Sequence, residues 1–507
     1  MAELELKTLK QLVYNADTLY GDEIFLREYI DKKFRDTSFK QFRKNCDSIA
    51  VWIQKHFTEK THIALVGATS SEYLSAWFGV QCSCNVSVPL DTNNNPENIA
   101  DELSRSDSKM VFLDEKHVKD VPLFRERCPQ IEYYVHLHKQ EEGMLFLGDM
   151  ISEGEGQTPT GDVTSDDLAA ILFTSGTTGV SKGVMLTHGN LIDNTTCCPE
   201  DNYHGKRLMT CLPIHHVFCF TIDILHSLWH GVNVCVNDSL FHIAKNLKLF
   251  EPQYCTFVPM IASTILGKMQ QAAKKPFITK KMIAHEVFGK NLIAIVSGGA
   301  YLSPDIIKGF KEFGIDIAQG YGMTECSPRI CTAIFNCPKP DSVGKIVKGC
   351  EVKIVDGEIW ARSPSVMKGY YKNPEETANT LTPDGWLKTG DLGHKDDDGY
   401  LYITGRKKNL IILSNGENVS PEEIENKFAT FRAIKEMVVY EDNQVITAMI
   451  YPDPEYKSKD IQAEIRRKVD EVNDTFQPAK RIVNIIFRDK EFVKTASRKI
   501  IRARINE

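Results

Sequence analysis

At 507 residues the chain is long enough for more than one folding unit, and 42% hydrophobic against 25% charged residues is the balance of a globular protein. A net charge of −7 and a pI near 6.1 give no basic footprint for a nucleic acid, and short basic runs such as "AAKKPFITKK" read as solvated faces. No apolar run approaches the ~18 residues that a membrane span needs, and the start of the chain carries no basic-then-apolar leader pattern. Fourteen cysteines are scattered without C-x-x-C spacing, which argues against a zinc site or a disulfide framework. Reduced thiols in a cytoplasmic enzyme are the expectation.

In chain order, "HIALVG" (His62–Gly67), "SKMVFL" (Ser108–Leu113), "AAILFTS" (Ala169–Ser175) and "LIAIVSGG" (Leu292–Gly299) read as buried strands. Helical patterns separate them. The alternation predicts an α/β fold: a large N-terminal portion of several subdomains with mostly parallel, layered sheets, whose ligands bind beyond the carboxyl ends of strands. The character changes near "GYLYITGRKKNLIIL" (Gly399–Leu413), after the turn-rich "KDDDGY". Ser420 then predicts an N-cap, Pro421 a first helical residue and Glu423 the return arm of a capping box. Ile424, Phe428 and Phe431 follow at helical spacing. These signals divide the chain into residues 1–407 and a small α+β unit over 408–507.

The stretch "ILFTSGTTGVSKGVMLTHGN" (Ile171–Asn190) sets Gly176, Gly179 and Gly183 among Thr174, Ser175, Thr177 and Thr178, with Lys182. Glycine lets backbone N–H groups converge on phosphate oxygens, hydroxyls add donors and lysine adds a point charge. It is not a Walker A loop, because Ser181 precedes Lys182 and Gly183 follows it.

Further motifs follow in order: "GYGMTECSP" (Gly320–Pro328), "KTGDLG" (Lys388–Gly393), "ITGRKKNLII" (Ile403–Ile412) and "KTASRKIIR" (Lys494–Arg502). Together with Thr174–His188 they resemble the adenylate-forming superfamily of acyl-CoA synthetases, peptide-synthetase adenylation domains and beetle luciferases. The resemblance extends over nearly the whole chain. It implies a large N-terminal α/β portion with a mobile C-terminal lid, and a two-step reaction. A carboxylate attacks the α-phosphorus of Mg-ATP to give an acyl-adenylate and pyrophosphate, and a thiol, usually that of CoA, then displaces AMP.

The resemblance also implies roles. Thr174, Ser175, Gly176, Thr177, Thr178, Gly179 and Lys182 would hold the β- and γ-phosphates. Tyr321 would meet adenine, as would the backbone of Gly299, Ala300 and Tyr301 in "SGGAYLS". Thr324 would bond the α-phosphate and Glu325 would hold Mg²⁺, a hard cation suited to carboxylate oxygen. Asp391 would bind the ribose hydroxyls, and Arg406 the ribose or a phosphate. Lys499 would reach the carboxylate and α-phosphate in the transition state. Lys408 matches the hinge, and Gly416 the pantetheine channel of CoA. The chain departs from the family pattern at Asn415, where many members have glycine, and at Val493 and Arg498, where proline and glycine are usual.

"LPIHHVFCFTIDILHSLWHG" (Leu212–Gly231) resembles the segment that opens the acid pocket, with His216 matching the family's histidine beside the carboxylate. The position where amino-acid-activating members place a countercharge falls on Phe218. Phe218, Phe220, Ile222 and Ile224 suit an alkyl tail or aryl ring. The expectation is a fatty acyl-CoA synthetase for a medium to long chain. The alternatives are an acyl-AMP ligase serving a carrier-protein phosphopantetheine arm, an aryl-acid CoA ligase, and last a non-catalytic nucleotide-binding homologue. A lipid substrate would allow transient membrane contact.

Overall fold

The computed structural model describes residues 4–174, 181–198, 203–332, 335–413, 418–494 and 500–507. The strands read from sequence are present at His62–Val66, Ser108–Leu113, Leu168–Thr174 and Ala294–Ser297. The first shows why an apolar run becomes a central strand. Ile63, Ala64, Leu65 and Val66 are all fully buried. Successive side chains point to opposite faces, so Ile63 and Leu65 join one hydrophobic core while Ala64 and Val66 join another. A parallel sheet covered on both faces requires that pattern.

Four sheets build the N-terminal portion among the described residues, the smallest a three-stranded antiparallel one, Tyr321–Gly322, Arg329–Thr332 and Lys345–Ile346. An eight-stranded sheet runs Gly369–Tyr370, Lys182–Thr187, Leu168–Thr174, Val86–Leu90, His62–Val66, Ser108–Leu113, Tyr133–His136 and Leu145–Phe146. Its first two junctions are antiparallel and the others parallel. One face packs on the helix Phe39–His56, whose Phe39, Phe42, Cys46, Ile49 and Ile53 recur at helical spacing in the core. The helix Ser71–Cys82 crosses it at Gly79, where a Cβ would lie 2.6 Å from Ile49 Cγ2. A seven-stranded sheet is parallel except for its edge hairpin, Ile24–Ile30 with Lys33–Ser38. It ends on Ala294–Ser297 and Asp316–Gln319, in register Ser297 to Gln319. A four-stranded antiparallel sheet contains Leu387–Lys395 and Leu401–Arg406.

Beyond Arg406 a three-stranded sheet, Ile434–Asp442, Val445–Pro452 and Asn484–Phe487, packs on the helix Ile461–Asn473. Its core, with Ile424, Phe428, Val439, Ala448, Ile465 and Val469, draws only on residues between Ile411 and Phe487.

Two local expectations are corrected here. The capping box is not formed. Ser420 Oγ accepts from the Glu423 N–H as an N-cap should, but the Glu423 carboxylate pairs with Lys480 at 2.7 Å instead of returning to the cap. The helix also stops at Asn426, and Phe428 and Phe431 reach the core from the turns that follow. A tertiary ion pair competes successfully with a local bond of similar strength.

Gly405 is where the antiparallel sheet meets this C-terminal part. A Cβ on it would lie 2.0 Å from Ser420 Oγ, an overlap that needs backbone movement. Gly405→Ala is therefore expected to destabilise this junction by ~1–3 kcal/mol. Limited proteolysis between residues 405 and 420 should accelerate while the melting of the N-terminal core stays unchanged; equal cleavage of both proteins would refute the contact.

Candidate active site

The site is built at strand ends. Ala294–Ser297 and Asp316–Gln319 are adjacent and parallel, so the chains leaving them start side by side, with the Gly320 N–H bonded to the Ser297 carbonyl at 2.9 Å. One exit carries Gly298, Gly299, Ala300 and Tyr301, the last three exposed. Gly299 has φ +79°, a conformation glycine adopts freely. The other carries Tyr321, Thr324 and Glu325. Gly322 lies against the Pro328 carbonyl, which a Cβ would meet at 1.8 Å.

Tyr321 is buried, and its hydroxyl donates to Asp391 Oδ2 at 2.7 Å. Asp391 is 4% exposed and stands opposite Arg406 in the antiparallel ladder, whose Nε lies 2.7 Å from Oδ1. Burial, and then the Asp391 charge, hold the Tyr321 hydroxyl protonated well above its usual range. A buried hydrogen bond to a carboxylate contributes ~1.5–3 kcal/mol, whereas an ion pair with a partner as exposed as Arg406 contributes at most ~1 kcal/mol. Tyr321 fixes Asp391; Arg406 is the partner that can be exchanged.

A second group surrounds Glu325, which is 8% exposed. Its Oε1 accepts from the Tyr370 hydroxyl at 2.8 Å. Burial and the Glu325 charge push the Tyr370 hydroxyl up, so it stays a donor. The Lys182 ammonium stands 5.4 Å from the centre of the Tyr370 ring and is paired with Glu376. Thr174 Oγ1 lies 3.5 Å from the Lys182 carbonyl, and the two residues face each other in the ladder. Thr174, Lys182, Glu325, Tyr370 and Glu376 thus form one charged cluster at the edge of the eight-stranded sheet. Ser175, Gly176, Thr177, Thr178, Gly179, Gly416 and Lys499 lie outside the described residues. Lys408 is exposed in the single turn Lys407–Asn409.

The segment Leu212–Gly231 is a broken helix with a π-helical turn at Phe220–Leu225. Phe220 and Ile224 belong to the hydrophobic core, the Phe220 ring tilted by 43° against Trp77 with ring centres 4.1 Å apart. They do not remain as acid-pocket walls. Phe218 does face the strand-end exit, its ring 2.7 Å from where a Gly298 Cβ would be. His216 is exposed, with its ring centre 4.6 Å from that of His215. Burial and the neighbouring His216 push His215 down to about 3, so it is neutral. A cavity of ≈ 500 Å³ lies elsewhere, beside Trp52 and Phe146.

Residues 16–371 match the AMP-binding enzyme family and residues 408–507 the AMP-binding enzyme C-terminal domain. The chain belongs to the AMP-binding enzymes. It is 29% identical over 446 residues to a long-chain-fatty-acid–CoA ligase of Mycobacterium bovis, spanning 78% of this chain and 73% of that one. It is also 29% identical over 403 residues to 4-coumarate–CoA ligase 1 of Petroselinum crispum, spanning 74% and 71%. The anthranilate CoA ligase AuaEII in complex with anthranoyl-AMP has the same fold, with a TM-score of 0.85, 21% identity and coverage of 99% and 97%.

Three residues of this AMP-binding enzyme escaped sequence reasoning. Tyr370 and Glu376 lie in "GYYKNPEET", where Asn373 caps a short helix starting at Pro374. That Asn-Pro-x-Glu pattern marks a helix start but not its partners. Asp223 is the third. It is fully buried in the segment that looked purely apolar, and Oδ1 accepts from the Thr256 hydroxyl while Oδ2 has no partner among the described residues.

Burial pushes Asp223 up to about 7, above the ~3.9 of an unfolded aspartate. The folded chain therefore holds the proton longer, and stability falls as pH rises from ~4 to ~7, by a few kcal/mol in all. Asp223→Asn removes this term. The urea midpoint of the variant should gain on the native protein from pH 5 to pH 8; a constant difference would show an ordinary carboxyl.

Proposed function

We propose that this AMP-binding enzyme is an acid–thiol ligase, activating a medium- to long-chain fatty acid with ATP and passing the acyl group to CoA. The reading is carried by the convergence of a buried, tyrosine-fixed carboxylate, Asp391, with the exits that carry Gly299 and Glu325. An ionised carboxylate only accepts, and with Arg406 displaced it offers both ribose hydroxyls a partner. Gly299, Ala300 and Tyr301 supply backbone for adenine. Thr174 and Lys182, with the glycine-rich residues Ser175–Gly179, hold the β- and γ-phosphates, Lys182 leaving Glu376 as they arrive.

A carboxylate oxygen of the acid attacks the α-phosphorus. An O–P bond forms, the bond to the β-phosphate oxygen breaks and pyrophosphate leaves. The mixed anhydride now has AMP as its leaving group, which the CoA thiol displaces with formation of the C–S bond. Thr324 bonds the α-phosphate and Lys499 meets the charge that develops on the pentavalent phosphorus. Glu325 would hold Mg²⁺, since Tyr370 donates to Oε1 and, among the described residues, no donor is bonded to Oε2. Held there, the ion would supply positive charge against the phosphates. Residues 408–507 act as a lid on the unit 1–407, turning at Lys408 so that Lys499 gives way to a pantetheine channel beside Gly416. His216 borders the carboxylate. Phe218 and Ile222 supply an apolar wall, and the fatty-acid ligase among the relatives supports an alkyl substrate; the coumarate ligase keeps an aryl acid as the alternative.

Pyrophosphate release is measured with acids from acetate to palmitate, benzoate and 4-coumarate, with CoA, with holo carrier protein, or with neither. A maximum at one alkyl length with thioester only on CoA is expected. A maximum on an aryl acid or transfer only to carrier protein would replace the substrate or the acceptor, and no release with any acid would refute the ligase. Lys182→Ala and Lys499→Ala should each cut adenylate formation by roughly 10²-fold. Lys499→Ala should leave thioester formation from supplied acyl-adenylate within about twofold of native, because CoA transfer follows lid rotation.

A further inference from the structure

Arg329 carries a charge that the reaction does not use. It is 8% exposed, its Nε has no hydrogen-bond partner, and no carboxylate pairs with it among the described residues. Its Nη1 instead donates to Cys198 Sγ at 2.7 Å and lies 4.0 Å from Cys197 Sγ. An isolated buried cation costs several kcal/mol, so a guanidinium placed this way calls for an anion. Among the described residues, the ionisable group within hydrogen-bonding range of the guanidinium is the Cys198 thiol.

The backbone holds both partners in place. Asn194 Nδ2 donates to the Arg329 carbonyl at 3.1 Å, and the Arg329 N–H donates back to Asn194 Oδ1 at 3.1 Å. Asn194 sits in the helix His188–Thr196, which ends directly before Cys197 and Cys198. Arg329 faces Gly322 in the ladder. Cys198 is partly exposed; Cys197 is buried. Cys198 Sγ is 3.3 Å from the Thr332 hydroxyl and 4.0 Å from Cys197 Sγ.

We propose that Cys198 is a thiolate paired with Arg329, and that it is the site at which soft carbon electrophiles modify this protein. The groups facing it work in opposite directions. Arg329 and the Thr332 hydroxyl stabilise the anion. Burial of the thiol opposes it first, followed by the carbonyl end of the helix and the Asp193 carboxylate beside Cys197. A helix end contributes ~1 kcal/mol or less, whereas a charge-assisted bond from a guanidinium inside the protein is stronger. Cys197 keeps its proton, which it donates to the Asn194 carbonyl at 3.1 Å, so the negative charge falls on Cys198, whose thiol is pushed down while that of Cys197 is pushed up. His226, which also feels the Arg329 charge, is kept neutral by burial first and then by the guanidinium, and offers no competing charge. In alkylation by iodoacetamide the sulfur forms an S–C bond, the C–I bond breaks and iodide leaves. No proton is released, because the sulfur is already ionised.

The test follows alkylation of the full chain by iodoacetamide, mapped by mass spectrometry from pH 6.5 to 8. Labelling at Cys198 should change by less than about twofold over this range, whereas an ordinary thiol with a pKa near 8.5 gains roughly 20-fold. Arg329→Lys should restore a steep pH profile, because a lysine ammonium cannot reproduce the guanidinium geometry. Thiolate absorbance at 240 nm, native minus Cys198→Ser at pH 6.5, reads the same ionisation without a reagent and without disturbing Arg329. A steep profile at Cys198, no absorbance difference, or labelling that maps first to the other partly exposed thiols, Cys84, Cys337 or Cys350, would each overturn the proposal.

Discussion

The Asp391 carboxylate joins parts of the molecule that share no strand. Tyr321 reaches it from the loop after the seven-stranded sheet, Arg406 from the neighbouring strand of the antiparallel sheet, and the next residue begins the turn into the C-terminal part. A buried carboxylate without donors would be expelled or neutralised. With the tyrosine hydroxyl locked as a donor, the charge is kept inside and aimed at the strand ends. The exchangeable guanidinium beside it lies just before residue 408, where the match to the C-terminal domain family begins.

The charged cluster at the edge of the eight-stranded sheet follows a similar arrangement. Glu325 is held by a tyrosine hydroxyl, and Lys182 rests on a partner, Glu376, that is 33% exposed in its side chain. Asp391 thus has both a fixed neighbour and one that solvent or a ligand can replace, Glu325 has the first kind and Lys182 the second. The fixed bond sets geometry, and the replaceable one keeps a free charge from facing the protein interior before substrate arrives. A polar substrate entering such a site exchanges ion pairs instead of stripping water from bare charges.

The acid-pocket segment illustrates the limit of composition as a guide. Its apolar residues were all candidate walls, yet helical geometry turns Phe220 and Ile224 into the core and leaves Phe218 against Gly298. The same geometry buries Asp223 against Thr256, a residue of the strand Tyr254–Phe257. A carboxyl there shapes the segment through its burial cost as much as through any bond.

Much of the fold was legible in sequence because its causes are local. Runs such as "HIALV" are apolar on both faces and become central strands whatever surrounds them. Gly298 stands where the backbone approaches another side chain closely, and the motifs around Tyr321, Asp391 and Arg406 stand at recognisable spacing. The pairing of side chains far apart in the chain was not legible. Lys182 with Glu376, Glu325 with Tyr370, Glu423 with Lys480 and Cys198 with Arg329 each join residues that only the packed sheets bring together. The sequence by itself determined the sheets, the family and the residue types at the site. Tertiary structure alone decided which charges are buried and which partner each one has, because burial and pairing depend on distance in space and not on separation along the chain.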